Sequence, residues 1–178
     1  AVAAERYDIS PLARDSVRAL AAETGESAFL SARRGDETVC LLREEGSFPI
    51  RSFVLAEGVR FPLGVASAGL VILSMLPDAT VDRYLAGNDL VALYGPSHAP
   101  EPLRDRIAAT RATGYAVNPG LVVEGSFGMG AAIFDAAGQP AWALSLTGVE
   151  SRFGVERRAE LGRLLLEHAH RVSRRLAG

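Results

Sequence analysis

Ala28-Phe-Leu-Ser-Ala-Arg33, the turn Arg34-Gly35-Asp36, and Glu37-Thr-Val-Cys-Leu-Leu-Arg-Glu44 decide the architecture. Two β-rich runs separated by a glycine-containing turn predict a hairpin, because glycine supplies the backbone angles that a tight reversal needs. The same form recurs late in the chain, where strands over 128–135 and 140–147 are joined through Ala136-Ala137-Gly138. A short strand over 115–118 precedes this second pair. Glu45-Gly46 is expected to turn the first hairpin into a third strand over 48–55. Strands that arrive as hairpins pair antiparallel, whereas parallel strands need long crossovers. The reading is an α+β domain with a central, largely antiparallel sheet of about six strands and flanking helices.

Helices fill the remaining segments. Ser10-Pro11 reads as an N-cap followed by proline in the first helical position, with Gly25 as the stop. Three helices are expected in the middle of the chain, over about 66–76, 79–86 and 101–113. Their ends are marked by Pro77, by Gly87-Asn88 and by Gly114. A long last helix over 155–176 carries Leu161, Leu164, Leu165, His168 and Val172 along one side. With no repeat, low-complexity tract or linker in view, residues 1–178 read as one domain.

Composition narrows the function classes. The chain has 178 residues, 48% of them hydrophobic and 22% charged, enough for a substantial core. Its net charge is -2, and the basic residues gather only as Arg157-Arg158 and Arg174-Arg175. A nucleic-acid reader shows a concentrated basic footprint, so this chain is not expected to contact DNA itself. Cys40 is the single cysteine, which excludes an internal disulfide and suits a reducing, cytoplasmic compartment. Its apolar setting, Thr38-Val-Cys-Leu-Leu42, reads as that of a buried, inert thiol. No apolar stretch reaches membrane-spanning length, so no membrane partner is expected.

Two places carry chemistry. In Phe61-Pro-Leu-Gly-Val-Ala-Ser-Ala-Gly69, small residues lead into an apolar helical run. A helix start of that kind presents backbone N–H groups without intrahelical partners, and the helix dipole favours a negative or carbonyl-bearing ligand there. A tight strand-to-helix connection is the plainer alternative. In the late strand pair, period-two alternation puts Trp142, Leu144 and Leu146 on one face and Ala143, Ser145 and Thr147 on the other. Gly128, Gly130 and Ala132 oppose Met129, Ala131 and Ile133 in the same way. A face of glycine, alanine and hydroxyls either floors a small pocket or simply faces solvent.

Other candidates fall away. Ser126-Phe-Gly-Met-Gly130 lacks dinucleotide-loop spacing and introduces a strand, so no cofactor is expected. His168 and His170 sit on different helix faces, and His98 stands alone, so no metal is expected either. No acid, base and nucleophile set stands out. That points to binding rather than turnover, and to a protein that is not an enzyme.

Five runs occur in order: Gly35-Asp-Glu-Thr-Val39, Gly58-Val-Arg-Phe-Pro-Leu63 leading into Ala66-Ser-Ala-Gly69, Gly114-Tyr-Ala-Val-Asn118, Ala131-Ala-Ile-Phe-Asp135, and Ala143-Leu-Ser-Leu-Thr-Gly148. Together they closely resemble the C-terminal effector-binding domain of the isocitrate lyase regulator (IclR) family of bacterial transcription factors, over essentially the whole chain. The resemblance implies a GAF/profilin-like fold that senses a small-molecule effector. It also implies homodimers or homotetramers, and operator DNA bound through an N-terminal winged helix-turn-helix domain that lies outside this chain. By position it implies an effector pocket with amide donors at Ser67 and Ala68 and hydroxyls at Ser145 and Thr147. Ile50, Phe53 and Phe61 would form apolar walls, with Ser126 beside them. Asn118 stands where the family often has an acid, and Gly128 where it often has a cysteine. From these departures the expected effector is a carboxylate or aromatic catabolite larger than a two- or three-carbon acid. The alternative is an oligomerisation scaffold whose pocket is vestigial.

Overall fold

The computed structural model describes residues 8–50 and 54–178. Helix α1 spans Ser10–Thr24 and leads into the hairpin of β1 (Ser27–Arg34) and β2 (Glu37–Glu44). Strand β3 (Arg60–Pro62) precedes helices α2 (Ser67–Ser74), α3 (Asp78–Gly87), α4 (Val91–Tyr94) and α5 (Pro100–Thr113). Then come β4 (Tyr115–Pro119), β5 (Ser126–Phe134), β6 (Pro140–Val149) and the long helix α6 (Val155–Ala177). The strands form one sheet in the order β3-β2-β1-β6-β5-β4, and every neighbouring pair is antiparallel. The α+β architecture expected from the hairpins is what the chain adopts.

Alternation along the strands sorts the side chains into two cores. Leu30, Met129, Ile133, Trp142, Leu144 and Leu146 point towards α1 and α6, where Val17, Leu20, Leu161, Leu165 and Val172 complete the layer. The opposite face carries small residues, among them Ala116, Ala132 and Ala143, and α2 lies directly on it. All eight residues of α2 are buried, as expected of a helix that is apolar all round and packed on both sides.

The two ends of α2 are treated differently. At its C-terminus Arg111 of α5 donates to Ser74 O (2.7 Å) and Leu76 O (3.0 Å) and pairs with Asp78 (2.6 Å). A cation is favourable there, where carbonyls are left unpaired and the dipole is negative. At its N-terminus the cap residue is Ala66, which makes no side-chain capping bond.

A second anchor lies under the start of α6. Glu26 is buried, and its Oε1 accepts from Arg152 Nε and from Arg157 Nη1 (3.0 Å). Both guanidinium groups also reach Thr24 O. Gly148 borders this cluster, and a Cβ there would collide with the Glu26 carboxylate and the Phe153 ring. The Arg157-Arg158 pair thus splits: Arg157 joins the clasp, and Arg158 turns elsewhere.

Two sequence expectations need correction. The third strand over 48–55 does not form in its described part: Phe48 to Ile50 form a bend, and Val54 and Leu55 are irregular. Pro49 cannot donate to a ladder, the Phe48 ring lies under Arg152 at 3.9 Å, and Ile50 is 64% exposed. The place beside β2 goes instead to the segment from Gly58, whose N–H donates to Cys40 O, and to β3. At the first helix, Ser10 is helical rather than the cap. Asp8 Oδ1 accepts from its N–H (2.9 Å) and hydroxyl (2.6 Å), which draws the Asp8 carboxyl below its usual value. Gly25 ends α1 at φ 77°, as anticipated.

Replacing Arg111 with Met removes its bonds to Ser74 O, Leu76 O and Asp78 at the C-terminal end of α2. Arg111→Met is expected to cost about 2 kcal/mol in urea unfolding, since bonds from a charged donor exceed neutral ones but this side chain keeps some contact with water.

Candidate functional site

Gly128 and Gly130 lie opposite Thr147 and Ser145 across the β5–β6 ladder. Their missing side chains let the first turn of α2 approach the sheet. A Cβ on Gly128 would stand 3.1 Å from Ser67 Oγ, and one on Gly130 would stand 3.1 Å from Ser67 O. The glycine-and-hydroxyl face is therefore roofed by α2 rather than open to water. Gly69 serves the same approach from the other direction, because a Cβ there would press on Leu63, Gly64 and Pro62 backbone at 3.2–3.3 Å.

Between the start of α2 and the sheet a cleft remains, with an interior volume of about 30 Å³, the room of a single water. It is lined by Ser67, Ala68, Asn118, Gly128 and Thr147, and by Phe61 and Ser126. Seven of the ten residues named from the sequence therefore meet here. Ser145 is fully buried but does not line the cleft, because α2 covers it. Ile50 is exposed and also stands away from it. Phe53 lies outside the described residues.

The polar inventory is unusual. Thr147 is 8% exposed, yet its Oγ1 has no hydrogen-bond partner, and neither has Ser145 Oγ. Most buried hydroxyls in folded proteins are paired, so these two mark unmet hydrogen-bonding capacity. The N–H groups of Ser67 and Ala68 belong to the first turn of α2 and have no intrahelical acceptor. Asn118 differs from the sequence reading, which gave its carboxamide to a ligand. Its Nδ2 donates to Val65 O (2.9 Å) and its Oδ1 accepts from Leu121 N–H (3.2 Å). Gly128 likewise does not open the volume attributed to it, because Ser67 fills that space.

Sequence reasoning missed Ser31, Thr38, Val54, Leu55, Val122 and Val123, which also line the cleft. Ser31 and Thr38 were visible in principle. Alternation in β1 puts Phe29 and Ser31 on the face opposite Ala28 and Leu30, the same face as the late hydroxyls. The valines at 122 and 123 sit in an irregular loop, where no periodicity marks a direction.

The reactive residues elsewhere are quiet. Cys40 packs with Phe29 and Leu55, and burial pushes its thiol up to about 12. His98 is buried with Nδ1 3.1 Å from Tyr94 O, and burial holds it below its usual value. Among the described residues no group of three His, Cys, Asp or Glu side chains could hold a metal ion, and no helix is long and apolar enough to cross a membrane.

The fold is that of an α+β domain with a cleft beneath a buried helix, and comparison with known proteins gives it a family. The family described as "Bacterial transcriptional regulator IclR C-terminal" matches residues 1–174. The chain belongs to this family, as the C-terminal domain of an IclR-type regulator, and not to an enzyme family. It is 30% identical over 174 residues to the HTH-type transcriptional regulator KipR of Bacillus subtilis, covering 97% of this chain and 69% of that protein. Over 167 residues it is 26% identical to the HTH-type transcriptional repressor AllR of Klebsiella pneumoniae, covering 93% of this chain and 61% of that one. The crystal structure of Thermotoga maritima IclR superimposes with a TM-score of 0.89 at 28% identity, over 99% of this chain and 72% of that chain. The chain thus spans roughly two thirds of the length of these relatives.

Because the thiolate form is suppressed, Cys40 should resist alkylation in the native chain at pH 8 and react fully once the chain is unfolded in guanidinium. Mass measurement of iodoacetamide adducts reads both states. Native-state labelling at the unfolded rate would contradict the burial.

Proposed function

We infer that this domain senses a small organic anion in the cleft beneath α2 and passes its occupancy to the rest of a DNA-binding regulator. The observation that carries this reading is the Thr147 hydroxyl, buried without a partner in the same cleft as an uncapped helix start. A carboxylate entering there meets N–H donors at Ser67 and Ala68 and the hydroxyl of Thr147, while the positive end of the α2 dipole favours its charge. Since the cleft is narrow, the effector displaces lining side chains such as Val54, Leu55, Val122 and Val123 as it enters. Carboxylates are the favoured class, and aromatic ones require the larger displacement.

Operator DNA is bound through an N-terminal winged helix-turn-helix domain outside this chain, in a cytoplasmic homodimer or homotetramer. Effector binding shifts the balance between two arrangements of that assembly by no more than its differential affinity for them.

The narrowness of the cleft favours one rival, an oligomerisation scaffold with a vestigial pocket. Thermal unfolding separates the two readings. A sensor gains stability with its ligand, about 2.7 kcal/mol when the ligand is a hundredfold above Kd, and less in Thr147→Val, whereas a scaffold shows no gain that depends on Thr147. Acetate, pyruvate and benzoate form a graded series for this measurement. If none of the three shifts the midpoint, the anion-sensing reading fails.

The two buried hydroxyls are expected to behave differently. Thr147→Val should weaken the bound carboxylate by about 1 kcal/mol in calorimetric titration, with the fold retained. Ser145→Ala should leave binding unchanged and be neutral or stabilising by up to about 1 kcal/mol, because it removes an unsatisfied buried oxygen from beneath α2.

A further inference from the structure

A second cleft, of about 380 Å³, opens beside the sheet edge at β4, between α5 and α6. It shares no lining residue with the cleft beneath α2. Its walls include Ala109, Val117 and Val155, with Arg106 from α5 and Arg158 from α6, and no carboxylate lines it. Arg106 Nε and Nη2 and Arg158 Nε are shielded from solvent without a hydrogen-bond partner.

That condition sets these arginines apart. Arg111 binds three oxygens, Arg152 and Arg157 share Glu26 and Thr24 O, and Arg175 donates to Leu12 O. A guanidinium nitrogen that has lost water and found no acceptor is costly, so a shielded one normally has a partner. Burial without a counter-ion accordingly lowers Arg106 from its ordinary value. The two idle nitrogens of Arg106 lie on one edge of the guanidinium, the side that grips both oxygens of a carboxylate or phosphate in parallel. Arg158 is steadied by the Phe127 ring, 5.4 Å from its central carbon to the ring centre.

We propose that this cleft is a second ligand site, taking the oxyanion end of a small organic acid or phosphorylated metabolite between Arg106 and Arg158 and its hydrocarbon part against Val117 and Val155. Carboxylate and phosphate share the recognition chemistry, and the two are separable by their apolar contacts. The site does not depend on the anion-sensing reading of the α2 cleft.

The test follows the arginine Nε–H and backbone amide signals in 1H–15N spectra of the chain, titrated at constant ionic strength with benzoate or inorganic phosphate, and with chloride as control. Saturable shifts of the Arg106 and Arg158 Nε–H signals are expected, whether or not the Ser67 and Ala68 amides move with them. Benzoate should also move the Val117 and Val155 amides, and phosphate should move the arginines alone. A response to only one of the two identifies the ligand class and supports the site. Arg106→Gln and Arg158→Gln, each with an otherwise unchanged spectrum, should weaken binding about tenfold. If a variant does not fold, the titration of the native chain decides. Shifts matched by chloride, no shift at millimolar anion, or signals that respond only to protein concentration would overturn the proposal, the last in favour of a contact between copies of the chain.

Discussion

The seating of Ser67 on Gly128 and Gly130 is the contact on which the rest of the domain depends. Without Cβ atoms at those positions the backbone of α2 comes within van der Waals reach of the sheet. The helix is then buried along its whole length, and the second core assembles around it. Ridge-and-groove packing of ordinary side chains would hold the helix several ångströms further out. The same closeness leaves the first-turn amides beside Thr147 and Ser145, so one pair of glycines sets both the packing and the polarity of the cleft.

The broad fold was legible because hairpins declare themselves locally. Gly35 and the run at 136–138 sit between β-rich segments, and antiparallel pairing follows without knowledge of the tertiary structure. Helix ends at Gly25 and Gly114 were equally plain, since both glycines adopt the left-handed conformation that stops a helix. The segment over 48–55 misled because its alternation resembles a strand, while the place beside β2 is filled by chain some ten residues later. Such competition between two segments for one sheet edge is a tertiary matter, and period-two patterning carries no trace of it. The short helix Val91–Tyr94 escaped for a simpler reason, being a single turn too brief to show a period.

The site was partly legible. Alternation in β5 and β6 correctly grouped the glycines with the hydroxyls, and small residues before α2 marked a helix start that the chain leaves uncapped. The sequence could not show how that space is divided. Ser67 occupies the room beside Gly128, and α2 passes over Ser145, so only the Thr147 end of the face stays open. Asn118 illustrates the same limit: its position put it in the pocket, but its amide donor and its oxygen both bond within the protein itself. Charge was no clearer from sequence, for the adjacent Arg157 and Arg158 serve a buried clasp and a cleft with no acid in it.

That carboxamide has a mechanical consequence. By joining the carbonyl before α2 to the amide of Leu121, Asn118 ties the helix lead-in and the loop carrying Val122 and Val123 into one hinged piece. The loop cannot swing outward alone without breaking the Leu121–Asn118 bond. Movement on this side that keeps both bonds must drag Val65 with it, and so tilts the helix whose far end is moored by Arg111 to α5.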